Sequence, residues 1–235
     1  MKGTPIKKIL ILVTILAVPG FLYYLLQEKG KNRYRPLPIF GHKEVAATFH
    51  SVRGTQIPDT IYHVVNDFKL INQNGDSVSL SKYGSNILIL SLFYTKGDAN
   101  GAGATTRAMK GFNETYQHNK AVTFVGISID PETDKPDVLA GYAKTLSAKA
   151  GKWDLLTGDS TQLSTLIKKG LSLDAHQEKI GTENKFIHSN MLVLLDSHRR
   201  IRGYYEATNQ EALTKLDDEI KVLLAEELRN SRDGR

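Results

Sequence analysis

Hydrophobicity along this chain falls into three regimes. Residues 9–26, ILILVTILAVPGFLYYLL, are apolar and carry no charge. Residues 27–60 have no sustained period and hold Arg35-Pro36-Leu37-Pro38 and Arg53-Gly54-Thr55-Gln56-Ile57-Pro58-Asp59. From Val65 onward, short apolar runs alternate with amphipathic stretches. Phe68-Lys69-Leu70-Ile71 and Ser77-Val78-Ser79-Leu80 flank an Asn-Gly turn and predict a β-hairpin. The continuous apolar runs 87–93 and 121–129 predict central strands covered on both faces. Between them, Met109, Phe112 and Tyr116 recur at helical spacing and predict a helix over 103–119. Pro136 opens a second helix carrying Val138, Leu139, Tyr142 and Leu146. A short strand at 153–156, a helix over 161–169, a polar loop over 170–186 and a hairpin of 191–195 with 200–204 follow. A last helix runs from about Gln210 to Leu228. Strands alternating with helices, then an antiparallel pair and a helix, predict an α/β sandwich around a mixed sheet.

The first regime reads as a membrane anchor. At about 1.5 Å per residue, a helix over 9–26 spans roughly 27 Å, close to the hydrocarbon thickness of a bilayer. Lys7 and Lys8 precede it, and Tyr23 and Tyr24 sit where a ring suits the headgroup boundary. A cleaved signal peptide is the alternative, but its apolar core is shorter and ends in a small-x-small site. This run ends in Tyr-Tyr-Leu-Leu, so an uncleaved single-pass anchor is the expectation. Residues 1–8 then lie in the cytoplasm, 27–56 form an extended linker, 57–228 form the folded domain and 229–235 a flexible tail. The prolines of the linker argue against a long helix there. The C-terminal domain is placed in the periplasm of a bacterium, tethered to the inner membrane.

Charge and cysteine content narrow the chemistry. The net charge is +6. Lys2, Lys7 and Lys8 supply half of it, so the remaining chain is too weakly basic to mark a nucleic-acid partner. There is no cysteine. Disulfides, thiolate metal sites and thiol redox chemistry are therefore excluded.

That absence matters because of what the rest of the chain resembles. Ile57-Pro58-Asp59, the turn Asn72-Gln73-Asn74-Gly75, Phe93-Tyr94-Thr95, Val125-Gly126-Ile127-Ser128-Ile129-Asp130-Pro131-Glu132-Thr133-Asp134-Lys135-Pro136, Trp153, Leu156-Thr157-Gly158 and Ile187-His188-Ser189 stand in order. With these blocks the chain resembles the SCO/SenC family of membrane-tethered proteins associated with copper delivery to cytochrome c oxidase. The resemblance implies a thioredoxin-like three-layer sandwich with a mixed central sheet and an N-terminal β-hairpin, behind one transmembrane helix. It also implies a copper site of two cysteines and one histidine. Here Gly97 and Gly101 stand at the cysteine positions, and His188 alone remains of the three.

Thiolates select cuprous copper, and one imidazole does not replace them. High-affinity Cu(I) binding and thiol–disulfide exchange are expected to be absent, and no cofactor is expected. The main expectation is a non-catalytic accessory or assembly factor for a membrane complex such as cytochrome c oxidase. Its first interface would lie around 96–104 and 176–190, with Lys96 and Asn100 in the loop. Two alternatives stand beside it. One is a copper metallochaperone using His188 with non-cysteine ligands such as Asp98 or Asp130. The other is a thiol-independent enzyme, for which there is no nucleophile elbow or phosphate-loop pattern. Bland roles are also expected: His188 bonding backbone at a sheet edge, and Asp134 capping the helix at Pro136.

Overall fold

A computed structural model describes residues 5–28, 36–52, 54–97, 103–180 and 183–233. The chain divides into two units, Met1–Arg35 and Pro36–Arg235. The first contains α1 (Pro5–Glu28), a 24-residue helix with Pro19 inside it. Its stretch Ile6–Leu25 has a mean hydropathy of 2.0. By length and composition it is able to cross a membrane.

The second unit is built on a five-stranded mixed sheet. Its strands are β5 (Ile87–Phe93), β6 (Val122–Ser128), β7 (Trp153–Leu156), β10 (Met191–Leu195) and β11 (Ile201–Glu206), in the spatial order β11-β10-β5-β6-β7. The β5, β6 and β7 strands run parallel, and β10 pairs antiparallel with both β5 and β11. Every residue of β5 and β6 is buried. The reason is visible in the alternation along β5. Ile87, Ile89 and Phe93 face one core with Met109, Phe112 and Leu139, and Leu88, Leu90 and Leu92 face a second.

The first core lies under α2 (Ala104–Thr115), α3 (Pro136–Leu146) and α5 (Gln210–Asp233), which contributes Leu216, Ile220 and Leu223. The second is closed by the hairpin β3 (Lys69–Ile71) and β4 (Ser77–Ser79), and by α4 (Ser160–Thr165) with the π-helical turn Leu166–Gly170 that continues it. Helices on one face and hairpin plus helix on the other make the expected three layers. Gly126 in β6 has a packing reason. A Cβ there would stand 2.9 Å from Leu155 Cδ2 and 3.0 Å from Phe93 Cε1.

The β3–β4 hairpin also closes the edge of β7. Gln73 donates to the Trp153 carbonyl at 2.9 Å, and its own carbonyl accepts from Leu155 N at 2.8 Å. Ile71 and Thr157 exchange backbone bonds beside it. The exposed edge of a parallel sheet is thereby paired rather than left to solvent.

Three elements differ from the sequence reading. Within the stretch read as an extended linker, β1 (Lys43–Val52) pairs antiparallel with β2 (Thr55–Tyr62), turning at Gly54 with φ +83. Neither face of that ribbon is covered, so its sequence shows no period-2 apolar signal. The stretch 170–186, read as loop, contains β8 (Ala175–Ile180) paired in register with β9 (Glu183–His188). It too forms a separate two-stranded ribbon, outside the central sheet whose two cores impose a pattern. Finally, α5 continues to Asp233 rather than ending at Leu228.

The C-terminal helix is held by charge as well as by its apolar face. Arg202 on β11 is 1% exposed. Its guanidinium meets both Glu226 oxygens at 3.0 Å and Asp196 Oδ2 at 3.1 Å. It also donates to the carbonyls of Leu37 (2.7 Å) and Pro38 (3.3 Å). One side chain thus joins α5, the β10–β11 turn and the segment that enters the domain. Burial works against its charge, and Glu226 and Asp196 more than offset this, so its pKa rises.

Candidate functional site

Among the described residues, those expected at the site come from three chain segments: Lys96 and Gly97 follow β5, Asp130 follows β6 and His188 ends β9. Leaving β5, the chain runs Tyr94-Thr95-Lys96-Gly97, and Asp134 fixes its course. Asp134 is fully buried. Its carboxylate accepts from Thr95 N at 3.2 Å, from the Thr95 hydroxyl at 2.5 Å and from the Ser128 hydroxyl at 2.6 Å. The cap residue of α3 is Lys135, and no side chain caps that helix. Asp134 is therefore not the cap expected from sequence. It holds the loop that leaves β5 against the end of β6.

Asp130 stands in a tight turn after β6. Its carbonyl accepts from Asp134 N at 2.8 Å, and its carboxylate from Thr133 N at 3.3 Å. Among the described residues it does not converge with His188 and a third His, Asp or Glu on one point.

Tyr94 decides the character of the site. Its ring lies 5.4 Å from Phe186 and meets His188 edge-on at 6.0 Å. It also covers Gly97. A Cβ at residue 97 would sit 1.8 Å from Tyr94 Cζ and 2.1 Å from its hydroxyl oxygen. The direction in which a side chain at 97 would project is thus filled by an aromatic ring. Lys96 is exposed. Asp98, Asn100 and Gly101 lie outside the described residues.

His188 ends β9 and is half-buried. Its Nδ1 lies 3.1 Å from the Ser189 carbonyl, which suits the tautomer that donates from Nδ1. A cavity of about 450 Å³ opens between Phe93, Tyr94, Ala104, Phe186, Ile187 and His188. Thr105, Asn190 and His188 add polar groups to its apolar and aromatic walls, a mixed lining that suits an inserted side chain better than a bare ion.

A second group was not anticipated from sequence. Ligand atoms of Asp196, His198 and Glu227 lie within 4.8 Å of one another. Asp-x-His in a hairpin turn is a faint signal, but Glu227 comes from α5, far along the chain. The carboxylates are already engaged. Asp196 Oδ2 takes Arg200 Nε at 2.7 Å besides Arg202, and Glu227 accepts from the Ser197 amide and hydroxyl. Two guanidiniums beside Asp196 oppose a cation there. The cluster lends copper only slight support.

A larger cavity, about 750 Å³, lies elsewhere, between the β3–β4 hairpin and α4. Its two carboxylates are structural: Asp67 accepts from the amides of Phe68 and Leu80, and Asp159 caps α4.

Comparison with known proteins fits this geometry. A family profile described as SCO1/SenC matches residues 58–222. The chain belongs to the SCO1/SenC family. It is 24% identical over 169 residues to the SCO1 protein homolog of Bacillus subtilis, covering 72% of this chain and 86% of that one. Among solved structures it resembles BsSco, described as a member of the Sco family of cytochrome c oxidase assembly proteins. There the TM-score is 0.58 at 21% identity, over 68% of this chain and 93% of the other. It also resembles Arabidopsis thaliana ScoI with copper bound, with a TM-score of 0.57 at 18% identity, over 69% and 99%. At these identities the likeness establishes the Sco fold.

This Sco-family chain does not fit a copper ion held by thiolates. It has no cysteine, and the Tyr94 ring occupies the place next to Gly97 where one ligand would stand. Thiol–disulfide exchange is excluded on the same ground. The metal site is degenerate, while Asp134 holds Thr95 and Ser128 together beside it.

Proposed function

We propose that this chain is a membrane-anchored, non-catalytic Sco protein that serves as an accessory or assembly factor for a membrane complex such as cytochrome c oxidase. Its α1 lies in a bacterial inner membrane and its Sco domain faces the periplasm. The interface is the end of the domain where Tyr94, Phe186, Ile187 and His188 line the cavity. The observation that carries this reading is the pairing of a retained loop scaffold with an aromatic filling at Gly97. The support for an oxidase as the target is family membership.

The test is co-purification from solubilised membranes of the full chain against Tyr94→Ala and Ile187→Asp variants. A membrane complex enriched with the parent and lost with the variants is the expected result. No enriched complex sinks the reading.

A second reading is favoured by the retained His188 and by the Asp196–His198–Glu227 group. Here the chain carries copper on imidazole and carboxylate ligands, with Asp98 or Asp130 as the non-cysteine ligands expected from sequence. Such donors suit Cu(II) rather than Cu(I). Titration of residues 36–235 with each copper state against a competing chelator, beside His188→Ala and His198→Ala, separates the readings. Tight one-to-one binding lost in either variant favours the carrier. Weak binding unchanged in both leaves the accessory role.

A further inference from the structure

The β1–β2 ribbon is an unusual object on this domain. Its strands pair with each other and with no other strand. Its base is clamped, since His63 N donates to the His42 carbonyl at 3.0 Å and His63 Nε2 lies 2.9 Å from the Gly170 carbonyl. Beyond that base, almost every residue of both strands is exposed. A lone two-stranded ribbon is marginal in water, and one of this length calls for a supporting surface. The family match begins at residue 58, inside β2, so β1 and the turn precede the matched residues.

The register sorts the side chains into two unlike faces. Facing partners share a side, so Lys43, Val45, Phe49 and Ser51 lie with Tyr62, Thr60, Pro58 and Gln56. The Lys43 ammonium sits 5.6 Å from the centre of the Tyr62 ring, in keeping with that assignment. The opposite side carries both carboxylates of the ribbon, Glu44 and Asp59, the latter 2.6 Å from His50. The first face therefore has no acid, one lysine, one tyrosine and two prominent apolar residues, whereas the opposite side sets Val52, Ile57 and Ile61 beside its two carboxylates. Val45 is 76% exposed and Phe49 61%. Apolar and aromatic groups with a cationic side chain are the chemistry of the bilayer interface.

Chain connectivity points the same way. The residues from Lys29 to His42 join α1 to β1, and they include Lys29, Lys31, Arg33 and Arg35. At about 3.3–3.6 Å per residue, that segment reaches at most about 50 Å. Its basic side chains are drawn to anionic lipid.

We propose that the acid-free face of β1–β2 lies on the headgroup region of the bilayer, with Phe49 and Val45 inserted and Lys43 on an anionic headgroup. This rests on the reading of α1 as an uncleaved anchor. The contact makes a second attachment to the membrane and limits how the tethered domain turns toward its partner.

The experiment uses the full chain with Phe49→Trp, reconstituted in vesicles of phosphatidylethanolamine and phosphatidylglycerol that carry nitroxide-labelled lipids. The single natural tryptophan, Trp153, is 1% exposed and supplies the baseline. A face that settles about 5–10 Å into the headgroup–acyl boundary loses most of the added emission to nitroxides near the glycerol and little to those at the chain ends. Adding Val45→Asp and Lys43→Glu restores the emission. Quenching no greater than the parent's, in protein that resists a carbonate wash, overturns the proposal and leaves the anchor standing. Loss of the chain to that wash overturns both. Shielding of residue 49 from aqueous acrylamide that grows with protein density, without nitroxide quenching, assigns the face to a second copy and also overturns it.

Discussion

Arg202→Met cuts the contact that joins three parts of the domain while keeping the length of the side chain. Removing one partner from a buried ion pair costs about 3–5 kcal/mol when the other charge is stranded. The structure places this case near the lower bound. Asp196 keeps Arg200 Nε at 2.7 Å and the amides of His198 and Arg200, and Glu226 is exposed enough to be hydrated. The groups left without their donor are the carbonyls of Leu37 and Pro38, one Asp196 contact and both oxygens of Glu226, which solvent reaches in part. A loss of about 3 kcal/mol is expected, or roughly 6–12 °C in Tm for a domain of this size. Urea unfolding of residues 36–235, followed by Trp153 emission, reads it directly. Lys221→Ala is the control. Its pair with Asp217 is solvent-exposed, so its loss should leave the urea midpoint almost unchanged. A double-mutant cycle with Glu226→Gln measures the Arg202–Glu226 coupling separately. If Arg202→Met loses less than about 1 kcal/mol, comparable to one ordinary hydrogen bond, the cluster does not tie the three segments together and the reasoning fails.

Asp134→Ala strands two hydroxyls and the Thr95 amide, and a buried donor left unsatisfied costs about 1–3 kcal/mol. Hydrogen exchange should rise around residues 94–97 and stay unchanged in β10 and β11; uniform acceleration contradicts a local role. Gly97→Cys with Gly101→Cys returns two thiols, but the first must displace the Tyr94 ring. Cu(I) competition is expected to detect tight binding only when Tyr94→Ala is added, and tight binding by the two-cysteine variant alone refutes the filling. Burial lowers the Lys152 ammonium to about 8. Between that pH and the ordinary lysine range, the unfolded chain holds a proton that the folded chain has shed, so this group makes stability rise with pH. Above the ordinary tyrosine range the sign reverses, because burial raises the hydroxyl pKa values of Tyr83, Tyr116 and Tyr205. Urea midpoints across alkaline pH should climb and then fall, and Lys152→Met should remove the climb.

What sequence made legible follows from which surfaces are covered. Both faces of β5 and β6 meet a core, so the chain spells them as unbroken apolar runs. The amphipathic α2, α3 and α5 likewise show one apolar stripe each. The ribbons β1–β2 and β8–β9 form separate two-stranded sheets, and nothing in their side-chain order marks a strand. At the site, the missing thiols could be read at Gly97 and Gly101, because an absent residue type needs no coordinates. The role of Asp134 could not. Its position just before Pro136 is what a helix cap looks like, and only the fold brings Thr95 within 2.5 Å of its carboxylate. The same holds for Tyr94, whose ring covers its near neighbour Gly97 and meets Phe186 and His188 from a distant strand. Loss of the cysteines alone would leave a vacancy at the end of β5. The Tyr94 ring instead turns that place into one wall of a cavity shared with Phe93, Phe186 and Ile187, which is the physical ground for expecting a protein side chain there rather than a metal ion.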